Sequence, residues 1–379
     1  MSYLGSKQWT LVLVLLPILA VSVSASVSVT ADRITVSGAT HNCENISLEV
    51  NNNSLVNWTE STRTCLVAGS INVVSNAVLN VSNETWNFNI SARNITINVT
   101  SSNFSIINGS NFTTTTQTGS NYWVIDSFDT VQITWRDSNF FYFGSGVDWM
   151  DLNSNNLIII NNTFYNGSQL SFLASSGVSS NIWIANNTFN ISNPRNMNFG
   201  DLFNFTLADN TFDNSPDEIF AVQLLNRSVW YGNTFINNGG NAFGMSGNHY
   251  HFLYENNYLD GNANGVIYGS GSAYILVNVT YVNSTFQDQF QLDFGENAEI
   301  TFKNNSFLSS GSLSITRTNY TVIEDNRFVG DARLIIGDLD NNATTLSTGF
   351  HNISRNNFSK VTSNTVAVGF DGVSFATVT

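Results

Sequence analysis

Acidic side chains fall into three groups that could bring two carboxylates close together. These are Asp148 with Asp151, then Asp201, Asp209, Asp213 and Asp217-Glu218, and finally Asp293 with Glu296 and Glu299. Two carboxylates about 5 to 9.5 Å apart are the pair that hydrolyses a glycosidic bond. No local motif marks any of these groups as such a pair. We therefore expect solvated carboxylates of turns and loops, and we predict no catalytic residue.

His249-Tyr250-His251 is the other spacing that could support chemistry. Residues i and i+2 of a strand face the same side, so these two imidazoles could share a metal ion. No cysteine or acidic cluster joins them, so we predict no metal site and interpret His251 and His351 as core histidines. Glycine pairs such as Gly239-Gly240 precede no helix, so no phosphate-binding loop and no cofactor are predicted.

A short motif, Asn-x-aromatic, recurs about every 23 residues, and its repeats are the elements that position these side chains. A period of that size indicates a solenoid. Apolar residues alternate before each aromatic anchor, as at Ile182 and Ile184, which indicates a strand and not a helix. The asparagines of this motif are eight: Asn162, Asn187, Asn210, Asn233, Asn256, Asn305, Asn326 and Asn356.

These eight asparagines are predicted to form a ladder inside the solenoid. Stacked coils place equivalent residues of successive strands on top of one another. Asn tolerates the left-handed backbone of a tight bend, and an inward amide can bond the backbone of the neighbouring coil. The −2 position of each anchor is therefore predicted to be a buried Asn column.

With its Asn and aromatic stacks, the sequence resembles the pectate-lyase-like right-handed parallel β-helices from about residue 90 to 379. The resemblance implies an all-β, single-stranded, three-sheet solenoid of about 11 coils, each of about 21–25 residues. The polygalacturonase-like motifs Asn-Thr-Asp, Asp-Asp, Gly-His and Arg-Ile-Lys are absent. The resemblance therefore implies an architecture and no particular activity.

The chain divides into three predicted segments. Residues 1–25 are interpreted as a secretory signal peptide, with Lys7, an apolar run from Leu11 to Ala20 and the cleavage pattern Val23-Ser24-Ala25. Residues 26–90 match the repeat poorly and are predicted to be an amino-terminal cap with irregular first coils, and residues 91–379 the β-helix. We expect a secreted protein, extracellular or at a cell surface, without membrane insertion after signal cleavage.

Export makes the 24 Asn-x-Ser/Thr sequons candidate N-glycosylation sites. Many of them arise by chance in a chain so rich in Asn, Ser and Thr. In several coils the sequon Asn precedes the ladder Asn by one position and is predicted to face outward, where it can carry a glycan. Dense glycosylation favours an archaeal or eukaryotic surface, and the acidic, little-charged composition favours an archaeal envelope. The N-glycosylation candidates are Asn45, Asn57, Asn80, Asn94, Asn98, Asn161, Asn186, Asn204, Asn278, Asn304, Asn319 and Asn352.

Cys43 and Cys65 are 22 residues apart, about one coil, and are therefore predicted to be stacked neighbours. In a secreted protein we predict a disulfide that staples the amino-terminal end, and the alternative is two buried thiols. The net charge of −14 and the scattered Lys and Arg residues argue against a nucleic-acid partner.

Longer coils give the one hint of function, because insertions on a solenoid often bind ligands. The longer steps run from Tyr258 to Phe286, from Phe328 to Phe358, and from Phe104 to Phe140 with a Thr-rich insert from Thr113 to Thr118. Aromatic residues near these insertions could stack on sugar rings or belong to the core: Tyr122, Trp123, Trp149, Tyr268 and Tyr274.

We expect a structural or adhesive protein whose partners are a polysaccharide or a second copy bound through the carboxy-terminal coil. That coil is apolar and alternating, and a bare parallel edge invites pairing. One alternative is a carbohydrate-active enzyme, a polysaccharide lyase or glycoside hydrolase, or a polysaccharide-binding module of the same fold. A trimeric viral fibre is the other alternative.

Overall fold

The computed structural model describes residues 26–378, with several segments excepted. The excepted residues are 52–53, 115–120, 129–131, 145–149, 169, 173–178, 191–196, 216–219, 238, 240, 246, 261–263, 269–274, 288–297, 309–311, 317, 331, 338–346, 360–367 and 372. The predicted signal peptide lies outside the described part. Within that part, no helix combines the length and apolar character that crossing a membrane requires.

The chain is a right-handed parallel β-helix with three sheets, as predicted. Each coil passes through face 1, face 2 and face 3 in that order, and each strand pairs in parallel with its equivalent one coil later. Strands form because apolar and polar residues alternate, so that one side of each sheet faces the core and the other faces solvent.

The strands divide among the faces as follows. Face 1 contains Arg33–Ser37, Ser70–Val74, Ile95–Thr100, Trp123–Phe128, Met150–Asp151, Leu170–Phe172, Asn241–Met245, Asn264–Tyr268, Ser312–Thr316, Arg333–Gly337 and Val368–Asp371. Face 2 contains Thr40–His41, Val78–Ser82, Asn103–Ile107, Gln132–Arg136, Asn156–Ile160, Ser179–Ala185, His249–Glu255, Leu276–Val282, Ala298–Lys303, Thr318–Glu324, Ser347–Ser354 and Val373–Val378. Two long strands, Met197–Ala208 and Phe220–Tyr231, run through both. Face 3 contains Thr64–Val67, Thr85–Phe88, Asn111–Thr114, Asn139–Phe141, Thr163–Tyr165, Thr188–Asn190, Thr211–Asp213, Thr234–Ile236, Tyr258–Asp260, Thr285–Phe286, Ser306–Phe307, Arg327–Val329 and Asn357–Ser359.

Equivalent aromatic residues of face 3 stack along the interior. Phe164, Phe189 and Phe212 are fully buried, and their ring centroids are 4.8 Å apart at both steps, which is the spacing of neighbouring strands. Burying each such ring stabilises the fold by about 1.5–3 kcal/mol. The column begins at Trp86 and ends at Phe358.

The Asn ladder lies at the bend between faces 2 and 3. Nδ2 of the buried Asn187 donates to the carbonyl oxygens of Ile159 and Ala185 and to Oδ1 of Asn210, each at 2.9 Å. Its Oδ1 accepts from the backbone N of Asn162 at 2.8 Å. Amide-to-amide bonds of this kind confirm the ladder at Asn162, Asn187, Asn210, Asn233, Asn305, Asn326 and Asn356.

Asn256 is the one wrong member of the predicted ladder, because the inward residue of its coil is Asn257. Oδ1 of the buried Asn257 accepts from the backbone N of Asn233 at 2.9 Å, whereas Asn256 is exposed with a φ of 53°. Leu259, and not Tyr258, fills the face 3 column in this coil. An aliphatic anchor is invisible to an Asn-x-aromatic pattern, which therefore set the register one residue too early.

The amino-terminal coils are more regular than the sequence indicates. Strands from Arg33–Ser37 onward pair in parallel with later coils. The strands Ser26–Thr30 and Val56–Thr59 pair antiparallel, and the α-helix Cys43–Val50 and the 3-10 helix Glu60–Thr62 complete this end. The predicted disulfide joins Cys43 to Cys65, whose Cα atoms are 5.9 Å apart. The boundary at residue 90 stays a prediction.

The predicted long step to Phe140 starts from the wrong aromatic: on face 3 it runs from Phe112 and, at 28 residues, is still longer than the usual step of about 23. Phe104 lies in face 2 opposite Ile133, and Phe112 is the face 3 partner of Phe140. Thr113 and Thr114 continue the face 3 strand, and the rest of the Thr-rich segment lies outside the described residues. The coil that contains Phe104 also contains the buried Phe112, and the sequence pattern selected Phe104, which belongs to face 2 and not to face 3.

Asn187→Leu is expected to lower the free energy of unfolding by about 1–3 kcal/mol, because buried backbone groups lose their hydrogen-bond partner. Thermal unfolding followed by circular dichroism measures the loss. Asn186→Asp is the matched control, since Asn186 is the exposed neighbour in the left-handed conformation that Asp also tolerates. An unchanged unfolding midpoint for Asn187→Leu contradicts the inward ladder.

Glu84 occupies the ladder position in an early coil, where its side chain is almost fully buried. Its Oε2 accepts from Nε1 of Trp86 at 2.8 Å. Burial raises the pKa of this carboxyl, and the hydrogen bond from Trp86 opposes the shift. The stabilisation linked to this raised pKa is complete below the ordinary glutamate pKa and is lost as pH rises through the raised value.

Glu84→Gln keeps an acceptor for Trp86 and removes the buried charge. We expect the variant to be more stable than the parent chain near neutral pH and to differ little at acidic pH, where Glu84 is protonated. Unfolding midpoints of both proteins over this pH range test the prediction. A difference between them that does not change with pH contradicts it.

Candidate functional site

Face 2 carries an outward column in which five successive coils share an unusual backbone conformation. Asn181, Asn204, Arg227, His251 and Asn278 all have φ of 53–55°, while the strands on either side of them stay in register. Each strand kinks at this residue without a register shift, and the side chain is exposed to solvent; we call these five residues the bulge column. Nδ2 of Asn204 donates to Oδ1 of Asn181 at 2.8 Å. This exterior pair therefore makes the same amide-to-amide hydrogen bond between coils as the interior ladder.

A groove of about 550 Å³ lies against this bulge column. Trp183 is 46% exposed there, between Ile158 and Thr206 of the neighbouring coils. The other residues that line the groove are Gln132, Asn156, Asn181, Ile182 and Asn204. An exposed indole therefore lies beside a row of side-chain amides.

The chemistry of the groove suits an uncharged ligand that carries many hydroxyl groups. Side-chain amides both donate and accept hydrogen bonds, and the indole supplies a rigid apolar face. None of the eight lining residues is ionisable. The next residue of the column, Arg227, holds its guanidinium over the ring of Phe203 at 5.4 Å. The described lining therefore fits binding and offers no acid or base.

Two aspartates lie at neighbouring positions of adjacent coils on face 1, a pair that was not predicted from the sequence. The parallel bridge between Ser127 and Leu152 places Asp126 beside Asp151 in the adjacent coil. Their backbones are then about 4.8 Å apart, the spacing of neighbouring strands. Both side chains are half-buried. Burial raises the pKa of Asp151, and the nearby Ser171 hydroxyl opposes the shift. Their 25-residue separation, one coil, was the signal that could have found the pair.

The carboxylate groups that were predicted from proximity in sequence do not assemble among the described residues. Asp201 lies within a long strand, Asp209 lies at the bend before face 3, and Asp213 lies on face 3. Glu255 pairs with Tyr231 on face 2 and lies one position before the bend that Asp209 occupies. Glu299 is exposed on face 2. Outside the described residues lie Asp148, Asp217, Glu218, Asp293 and Glu296.

His249 and His251 do not share a face of the strand. Nδ1 of the buried His249 accepts from the backbone N of Leu225 at 3.1 Å, and burial lowers its pKa to about 3. The prediction that His251 lies in the core is wrong, because the bulge interrupts the alternation and exposes it. His351 is buried as predicted. Within the described ranges no group of three or more His, Cys, Asp or Glu could hold a metal ion.

The N-glycosylation candidates that the structure describes all lie outside the core. The exposed ones are Asn45, Asn94, Asn161, Asn186, Asn204, Asn278 and Asn304, and the half-buried ones are Asn57, Asn80, Asn98 and Asn352. The side chain of Asn319 is not among those described. Asn161, Asn186, Asn204, Asn278 and Asn304 have left-handed backbones at bends or bulges. Glycan occupancy stays a prediction.

The aromatic residues predicted near insertions belong to different environments. Trp123 is fully buried and is therefore a core residue, and Tyr122 is half-buried. Trp149, Tyr274 and the side chain of Tyr268 lie outside the described part. The exposed tryptophan of the groove, Trp183, was not predicted, because it occupies a regular outward strand position and not an insertion.

No protein-family model matches this chain, and no curated protein matches it. Among solved structures, the chain is similar to the periplasmic alginate epimerase AlgG. A double mutant of that enzyme aligns over 90% of this chain and 85% of its own length, with 12% identity and a TM-score of 0.46. A single mutant aligns over the same shares with 10% identity and a TM-score of 0.44. This likeness concerns the fold, and no residue role is transferred.

Proposed function

We propose that this chain is an exported, N-glycosylated rod with a structural or adhesive role at a cell surface, and that it adheres to an uncharged polysaccharide through face 2. The observation that carries the proposal is the exposed Trp183 in a groove lined by amides. An exposed indole desolvates at little cost when it stacks on an apolar sugar face. The amides beside it can then bond the hydroxyl groups.

The periodicity of the rod supports a polymeric ligand. Equivalent positions repeat every coil, about 4.8 Å apart, so each coil of the groove and its bulge column presents a polar side chain at the same place along the rod axis, first Asn181 and Asn204 and then Arg227 and His251. A chain of sugars laid along that axis meets one set of side chains per coil. Several weak, repeated contacts then add to a useful affinity.

Export and glycosylation rest on sequence observations. The amino-terminal pattern of a signal peptide and the outward sequons support them. Self-association through the carboxy-terminal coil also stays a proposal. Its strand Val373–Val378 pairs with Ser347–Ser354 along one edge, and an end-to-end contact between two rods would cover the other edge.

Trp183→Ala is expected to weaken binding to a responsive uncharged oligosaccharide by about ten-fold or more, as for an aromatic anchor at the centre of an interface. A glycan array finds the ligand and calorimetry measures its affinity. The protein is produced without glycosylation, because Asn204-Phe205-Thr206 is a sequon and a glycan on Asn204 would occupy the groove. The proposed adhesive function therefore requires that Asn204, unlike other sequons, be unoccupied in the native protein.

Tyr320→Ala is the matched control for this measurement, since Tyr320 is an equally exposed aromatic residue of the same face, 48% exposed, several coils away. The proposal requires that this control bind as tightly as the parent chain. Equal loss of affinity in both variants, or no loss in Trp183→Ala, places the binding surface elsewhere. No binding to any glycan on the array contradicts the adhesive function itself.

The second candidate function is glycoside hydrolysis at Asp126 and Asp151, and their juxtaposition on face 1 favours it. The raised pKa of Asp151 suits a general acid that protonates the leaving oxygen. Asp126 would then act as the carboxylate that attacks the sugar or activates water. This candidate is the enzyme alternative stated from the sequence, and we propose these two residues for it.

If the chain hydrolyses a polysaccharide, Asp151→Asn is expected to lower kcat by at least about 100-fold. Activity should fall as pH rises through the raised pKa of Asp151, because the acid loses its proton. Chromatography of products from glycans bound on the array measures cleavage. Bound but uncleaved glycans rule out this candidate and leave the adhesive function intact.

A further inference from the structure

Among the described residues that have a left-handed backbone at the bend between faces 3 and 1, one is neither Asn nor Gly. Asn166, Asn214 and Asn237 occupy this bend in three coils with φ of 52–63°, and Gly330 occupies it in a fourth. The equivalent residue one coil before Asn166 is Tyr142, which also has a positive φ of 57°. A bulky side chain in the left-handed region is strained, and such strain persists where function requires it.

Tyr142 belongs to an aromatic cluster at the surface, formed by the half-buried Phe141 and Tyr142 and the exposed Tyr165. The rings of Tyr142 and Tyr165 meet edge to face with centroids 6.2 Å apart, and those of Phe141 and Tyr165 are 6.4 Å apart. Tyr165 is 44% exposed. In the next coil the residue equivalent to Tyr165 is Asn190, so the cluster is local to these two coils and is not a continuation of the core.

A sequon lies directly beside the cluster. Asn166-Gly167-Ser168 follows Tyr165, and Asn166 occupies the same bend as Tyr142 in the adjacent coil, where it is exposed. The backbone N of Tyr142 donates to the carbonyl oxygen of Tyr165 at 3.1 Å, which holds the two bends together. A Cβ on Gly167 would lie 2.2 Å from the ring of Phe143, so the turn that carries Asn166 is packed tightly.

We propose that Asn166 carries an N-linked glycan whose first sugars pack on Phe141, Tyr142 and Tyr165. The proposal rests on the proposed N-glycosylation and names the structural role of one site. The modification joins the anomeric carbon of a glycan from a lipid-phosphate donor to Nδ2 of Asn166. The amide loses a proton and the lipid phosphate leaves.

The covalent attachment identifies the chain's own glycan as the occupant of this cluster. A sugar linked to Asn166 is held within reach of the rings at a high effective concentration. A free ligand would instead lose translational and rotational entropy on binding. Stacking also accounts for Tyr142 at a bend where Gly and Asn are the residues of least strain. The cluster then acts as a clamp that orders the glycan and shields exposed aromatic surface.

The test is a double-mutant cycle in protein from a host that N-glycosylates. Tyr142→Asn copies the residue of the next coil, and Asn166→Asp removes the acceptor while keeping a residue that tolerates the bend. With the glycan present, Tyr142→Asn should lower the unfolding midpoint by about 2 °C or more. In the Asn166→Asp background the same change should be neutral or stabilising, because it relieves strain. Tyr165→Asn, which copies Asn190, repeats the cycle if Tyr142→Asn does not fold.

Mass spectrometry of each sequon separates this proposal from the one on which it rests. Glycans at other sequons but none at Asn166 overturn the clamp and leave N-glycosylation standing. No glycan at any sequon overturns both. Asn304→Asp is the matched control, since Asn304 is an exposed sequon at another bend. Equal effects of Tyr142→Asn in all backgrounds also overturn the clamp.

Discussion

The buried amide at the bend before face 3 hydrogen-bonds to the coils on both sides of it. Nδ2 of Asn210 donates to the carbonyl oxygen of Ile184 and to Oδ1 of Asn233, and each neighbour repeats the arrangement. A slip of one residue in any coil would leave these groups buried and unpaired at a cost of about 1–3 kcal/mol each. The ladder therefore fixes the register, and the register aligns every other column of the rod.

Outward columns are the functional consequence of that register. Because equivalent side chains repeat about every 4.8 Å, one residue type at one position becomes a row on the surface. The bulge on face 2 produces a row that begins with amides and continues with Arg227 and His251. The same register brings Asp126 beside Asp151 on face 1. Recognition and chemistry on this rod depend on which coil supplies which side chain.

The repeat and the ladder were predictable because Asn187 and its equivalents combine a fixed spacing with one residue type. Asn257 was missed because Leu259 replaces the aromatic anchor of its coil. The exposure of His251 was missed because a bulge reverses the alternation, and its backbone conformation has no signature at Arg or His. The groove at Trp183 and the pair of Asp126 and Asp151 come from contacts across coils. Their partners are about 25 residues apart, beyond the reach of local motifs.

Hydrogen exchange with and without a bound oligosaccharide tests most directly whether face 2 is the adhesive surface. The account predicts added protection of backbone amides in Asn156–Ile160, Ser179–Ala185 and the face 2 half of Met197–Ala208, the strands that carry the groove. Strands of face 1 around Asp126 and Asp151 should exchange as in the free protein. Protection confined to face 1, or to the chain ends, would contradict the assignment of the groove as the binding site.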